Sequence, residues 1–205
     1  MEFRTKELLS VAETLPSDER SINNAEREFS DAGAAMSYFG DLKRRFLNIE
    51  RWNDNSHISS YDLFNADGTE AKNNQIRPGL FIKITLHGSG KSDWVLVDEL
   101  FSSPNELVIT VRPTYDPTAE TLQRDEISHF FSAEARNNFC ILCDEQFVRV
   151  YVIGVNEKLN SDHTSGILET VRNTAVANLG SYLGIQSAVW RAFCESFLAD
   201  NDSDE

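Results

Sequence analysis

The run from Asn138 to Glu157 constrains the fold more than any other part of the chain. Two β-rich segments, Phe139–Cys143 and Phe147–Val155, flank Asp144-Glu145-Gln146 and read as a hairpin with a short polar turn. Side chains alternate across a strand, so Val148, Val150 and Val152 point one way, and Arg149, Tyr151, Ile153 and Val155 the other. Both faces are largely apolar. Such a strand belongs inside a sheet or barrel covered on both sides, because a surface hairpin carries polar residues on one face. The same alternation sends Cys140 and Cys143 to opposite faces. Their spacing suits zinc, but the two sulfurs cannot converge on one ion, and they read as buried thiols.

The rest of the chain is arranged around this hairpin. Residues 3–15 are amphipathic at helical spacing, with Leu8, Val11, Ala12 and Leu15 on one face. From Ile22, apolar residues recur at intervals of three and four through Ala25, Phe29, Ala32, Met36, Phe39, Leu42, Phe46 and Ile49. That spacing predicts two helices hinged near Asp31–Gly33, the second running to about Trp52, and makes residues 1–52 a helical N-terminal part. The period then changes to two. Ile58–Asn65, Leu80–His87, Asp93–Phe101 and Glu106–Arg112 read as strands, and residues 57–157 form an antiparallel β part. Helical spacing returns over residues 165–198. One helix carries Leu168, Val171, Ala175 and Leu179 toward the sheet and ends at Gly184; a last helix carries Val189, Trp190, Phe193 and Phe197. Residues 199–205 are an acidic tail, and residues 1–205 form a single domain.

Helices, then about six strands on short turns, then helices predict an α+β fold with an antiparallel sheet. In element order this resembles the helix-grip plan of START-like proteins, in which a strongly curved sheet wraps a C-terminal helix. The alternative is a small SH3-like or OB-like barrel with helical additions. A long final helix with a continuous apolar face favours the helix-grip arrangement.

Charge narrows the partners. The 33 acidic and 19 basic residues give a net charge of −14, which disfavours nucleic acid and anionic membranes. No stretch approaches the ~20 apolar residues of a membrane span. Three cysteines and no signal-like N-terminus point to a reducing, cytoplasmic setting. Nothing in the sequence fixes an oligomeric state.

Nor does any motif name a reaction. His87-Gly88-Ser89-Gly90-Lys91-Ser92 ends like a phosphate-binding loop, but Thr85 replaces the first glycine and a strand, not a helix, follows. It reads as a hairpin loop. His57, His87, His129 and His163 lie far apart without metal-ligand spacing, so no metal or cofactor is expected. His129, beside Phe130 and Phe131, is the one candidate general base, with Glu157 or Asp116 as its acid. Arg112, Tyr115 and His129 are expected at the mouth of a pocket, with Tyr151 and Glu157 as further ligand contacts; Arg112 is expected to pair with Glu157. Three functions compete on these residues: a non-catalytic module binding a small apolar ligand or a protein partner, an acid–base enzyme centred on His129, and an acidic adaptor without a pocket.

Overall fold

The computed structural model describes residues 3–54, 59–86, 92–120, 127–129, 131–158 and 179–199. Its centre is a seven-stranded antiparallel sheet in the order β1-β7-β6-β5-β4-β3-β2. The strands are β1 (Arg20–Glu28), β2 (Ser59–Phe64), β3 (Phe81–Leu86), β4 (Ser92–Ser103), β5 (Glu106–Pro113), β6 (Arg136–Asp144) and β7 (Phe147–Val155). Among the described residues four helices accompany them: α1 (Arg4–Thr14), α2 (Ala32–Phe46), α3 (Glu50–Asn53) and α4 (Leu179–Leu198). With β1 and β2 at its two ends the sheet is open and not a small barrel, and α4 reaches both Asn23 on β1 and Tyr61 on β2, so the architecture is helix-grip-like.

The central hairpin is as expected. Asp144 pairs with Phe147, leaving a two-residue turn in which Glu145 takes a φ of 55°. Val148, Val150 and Val152 join Phe139, Ile141 and Cys143 on the inner face, beneath α2, α3 and α4. Ile153, Val155, Val108 and Cys140 lie on the outer face with Ala12, and Leu8, Leu9, Leu15 and Tyr151 pack against them. The two thiols therefore do sit on opposite faces of the sheet. Turn chemistry elsewhere is equally plain: in Arg77-Pro78-Gly79-Leu80, Leu80 N donates to Arg77 O at 3.3 Å, and Gly79 supplies the positive φ of 86°.

Three expectations are corrected. Residues 20–28 are a strand, not the first half of a helical pair, and the sheet gains its seventh member there. The break near Asp31 is real, but it is a helix start: Asp31 Oδ1 accepts from Ala34 N at 2.9 Å and caps α2. Gly184 does not end a helix, because α4 runs unbroken from Leu179 to Leu198. The ~1 kcal/mol that glycine costs in a helix interior is small beside the packing of this helix on the sheet. Leu168, Val171 and Ala175 lie outside the described residues. Trp190, Phe193, Cys194, Phe197 and Leu198 supply the apolar face that meets the sheet.

Helix α1 has no capping side chain of its own. Glu106 at the start of β5 provides one: its carboxylate accepts from Arg4 N at 3.0 Å, Thr5 N at 2.7 Å and Thr5 Oγ1 at 2.6 Å. Buried at 2% exposure, this carboxylate satisfies two orphan amides and meets the positive end of the helix dipole. Glu106→Ala is expected to cost about 2 kcal/mol and to free α1 from the outer face. Urea unfolding, with hydrogen exchange at the Arg4 and Thr5 amides, checks both effects.

Candidate functional site

Cross-strand neighbours share a face, and one row of them assembles the site. Ser21 on β1 pairs with Gly154 on β7, which pairs on its other side with Asn137 on β6. One step along, Asn23, Val152 and Asn138's neighbour Phe139 form the next inward row. Val152 and Phe139 belong to the inner core, so Ser21, Gly154, Asn137 and Asn23 also point inward, toward α4.

Beyond β7 the chain doubles back. Asn156 adopts a φ of 55°, a left-handed conformation that asparagine tolerates better than most residues, and Lys158 N donates to Asn156 O at 2.7 Å. Glu157 N donates to Glu19 O at 2.9 Å, anchoring the turn on the chain ahead of β1. This reversal lays the Glu157 carboxyl over Gly154. A Cβ added at Gly154 would overlap Glu157 Oε1 and Cδ and stand 2.6 Å from Ser21 Oγ. Glycine is thus required here to make room for a carboxyl group, not for a special backbone angle.

Glu157 is 2% exposed, and neither of its oxygens has a hydrogen-bond partner among the described residues. Burial pushes its pKa up to about 7; Ser21 Oγ, standing beside it, pulls the other way without reaching hydrogen-bond geometry. Ser21 Oγ, Asn23 Nδ2, Asn137 Oδ1 and, from α4, Trp190 Nε1 are likewise buried without a partner. Helix α4 is tied to this patch at two points. Ser187 Oγ donates to Asn23 Oδ1 at 2.6 Å, and Cys194 Sγ lies 3.7 Å from Asn23 O. Trp190 stands edge-on to Phe139, ring centroids 5.4 Å apart.

An unsatisfied buried polar atom costs about 1–3 kcal/mol, and native proteins carry few of them. Here five residues contribute such atoms to one region of the inner face, between β1, β7, β6 and α4. The set offers donors and acceptors, with an apolar wall of Val152, Phe139 and Trp190 beside it. Buried polar atoms and apolar side chains thus meet in one patch between the sheet and α4.

The other residues singled out from the sequence do not gather around Glu157. Arg112 lies on the opposite face from Val111 and Ile109 and pairs with Asp98, Nε to Oδ1 at 3.4 Å, as does Arg136 at 3.6 Å. Asp98 falls at the irregularity in the β4–β5 register between Val97 and Glu99. The expected Arg112–Glu157 bridge is therefore replaced by an outer-face one. Because that bridge is partly exposed, Arg112→Ala should lower stability by less than about 1 kcal/mol in a thermal melt. Tyr115 packs on Phe81 at 5.3 Å, and Tyr151 lies half-buried on the outer face near α1. His129 is buried, and its Nδ1 accepts from Phe131 N at 2.9 Å, a bond that commits that nitrogen to the local turn. Asp116 Oδ1 accepts from Thr118 N and Oγ1 within its own turn. His57, His87, His163 and Phe130 lie outside the described residues, as does most of the glycine-rich loop; β3 and β4 on either side of that loop pair antiparallel.

No family model matches the sequence, and no curated protein does. Solved structures do resemble it. A hypothetical protein from Helicobacter pylori superposes with a TM-score of 0.53 at 10% identity, over 89% of each chain. A protein from Arthrobacter aurescens gives 0.43 at 11% identity, covering 92% of this chain and 94% of its own. The protein Ara h 8.0201 gives 0.39 at 10%, covering 88% and 100%. The first of these likenesses, at so low an identity, is one of fold alone.

Proposed function

We propose that the chain is a small-ligand-binding module whose ligand meets the Glu157 carboxyl between the inner face of the sheet and α4. The observation that carries this reading is the Glu157 carboxyl, buried without a partner among the described residues, with Ser21, Asn23, Asn137 and Trp190 around it in the same condition. A ligand with a polar head satisfies those atoms, and its apolar body suits the apolar side chains around them. Among the described residues no second titratable group acts on the Glu157 carboxyl, so a paired acid and base is not what supports the reading, and binding is favoured.

A fragment screen by heteronuclear NMR tests the proposal. The Trp190 indole N–H and the side-chain amides of Asn23 and Asn137 report from inside the site. Fragments that bind should move these three signals together, with a Kd of roughly 1 mM or tighter. A library that moves none of them, or moves them no more than it moves the Trp94 indole on the outer face, overturns the reading.

A further inference from the structure

We infer that the group bound at the Glu157 carboxyl is a primary ammonium, so that the module's ligand is a small organic amine. The inference rests on the ligand-binding reading and deepens it by naming the chemistry of the ligand's head.

Ser21 and Asn137 flank Gly154 in one cross-strand row, and the Glu157 carboxyl lies over it, Oε1 nearest. Ser21 Oγ, Asn137 Oδ1 and the two Glu157 oxygens are four acceptor-capable atoms, each buried and without a partner among the described residues. The donors without partners, Asn23 Nδ2 and Trp190 Nε1, belong to the next row and to α4. A primary ammonium carries three N–H donors on one atom, which is what a cluster of carboxylate, amide and hydroxyl oxygens can accept. The charge-assisted bonds that result are about twice as strong as neutral ones. Trp190 and Phe139 then border the site with aromatic rings, which suit both a cation and the alkyl chain that follows it.

No cation of the protein competes for this place among the described residues. Arg20 on β1 and Arg136 on β6 are both cross-strand neighbours of Val155, so they point to the outer face; there Arg20 Nη1 donates to Ala12 O, and Arg136 meets Asp98. Lys158 pairs with Glu19 at 3.6 Å in a partly exposed bridge, and Arg191 with Glu195 at 3.2 Å in an exposed one. Glu134 is occupied by Ser132 Oγ. Among the described side chains of α4 the titratable group facing the patch is the Cys194 thiol, whose pKa burial raises to about 12, so it stays neutral. Glu157 is thus the group that changes charge. An incoming ammonium keeps its own proton, and below about pH 7 Glu157 gives up its proton to solvent as the pair forms.

Titrations of n-hexylamine, n-hexanol and hexanoate into the full chain, followed by the Trp190 indole signal and by calorimetry at pH 5.5 and pH 8, test this. Hexylamine should bind saturably, several-fold more tightly at pH 8, and at pH 5.5 with a buffer-dependent heat that reports proton release. Glu157→Gln, which keeps the shape and removes the charge, should weaken hexylamine at least about tenfold and abolish the pH dependence. Gly154→Ala, which displaces the carboxyl, should weaken it comparably. Should hexanol bind as well as hexylamine and be indifferent to Glu157→Gln, the ammonium assignment is overturned while the ligand-binding reading stands. If none of the three probes moves the Trp190 signal and other fragments do, the amine class alone falls; if no fragment does, both readings fall together.

Discussion

Replacing Phe193 by alanine is expected to destabilise the fold by about 3–5 kcal/mol, the range for deleting a large buried aromatic side chain. Phe193 stands on α4 with ring contacts to Phe46, Trp52, Tyr61, Phe139, Trp190 and Phe197, at centroid separations of 4.9–6.4 Å. Those rings come from α2, α3, β2, β6 and α4 itself, so a single side chain joins all the inner helices to the sheet. Tilted and edge-on pairs of this kind add about 0.5–1.5 kcal/mol beyond their buried area. Urea unfolding followed by circular dichroism measures the loss, and Phe193→Leu should retain a good part of the stability. A cost under about 1.5 kcal/mol for the alanine variant would mean that α4 does not dock on the sheet through this residue.

Where the sequence was readable, hydrophobic periodicity made it so. The β7 strand carries apolar residues on both faces, and its boundaries, its turn and the opposed positions of Cys140 and Cys143 all follow from alternation alone. Strand β1 hid for a physical reason. Its inward residues include Ser21 and Asn23, while Ile22 points outward and is 37% exposed. A strand whose buried side is polar cannot announce itself by alternating hydrophobicity, and Ile22, Ala25 and Phe29 then fall by chance on a helical spacing continuous with α2. The polar residues that concealed the strand are the ones that surround Glu157. A local departure from the folding pattern marked the candidate site, as expected where function and patterning compete.

Glu157 itself could be nominated from its place just past a strand end, but its surroundings could not. Its neighbours depend on the β1–β7–β6 register and on the reversal at Asn156. Arg112 was the natural partner by charge. Register places it on the other face, where Asp98 takes it. Gly154 carried a signal that was available and passed over: a glycine inside an otherwise continuous β-branched and aromatic strand marks a close approach by another group, and here that group is a carboxyl.

The pH dependence of stability tests the burial of Glu157 without any ligand. Its pKa is about 7 in the folded chain, against 4.5 for an ordinary glutamate. Between those values the folded state holds a proton that the unfolded state has released. Stability from this group is therefore complete below about pH 4.5, declines as pH rises through 4.5 to 7, and stays at its lowest above that range. The difference between the two pKa values corresponds to about 3 kcal/mol. Glu157→Gln keeps a neutral side chain at every pH, so it removes the decline. The informative quantity is the stability of the variant minus that of the parent, since the remaining carboxylates cancel in it. That difference should be near zero at pH 4.5 and should rise toward about 3 kcal/mol in favour of the variant at pH 8. Denaturant unfolding at a series of pH values measures it. A flat difference would place the carboxylate in contact with solvent or with a cation, and the patch over Gly154 would then lose the property that makes it a site.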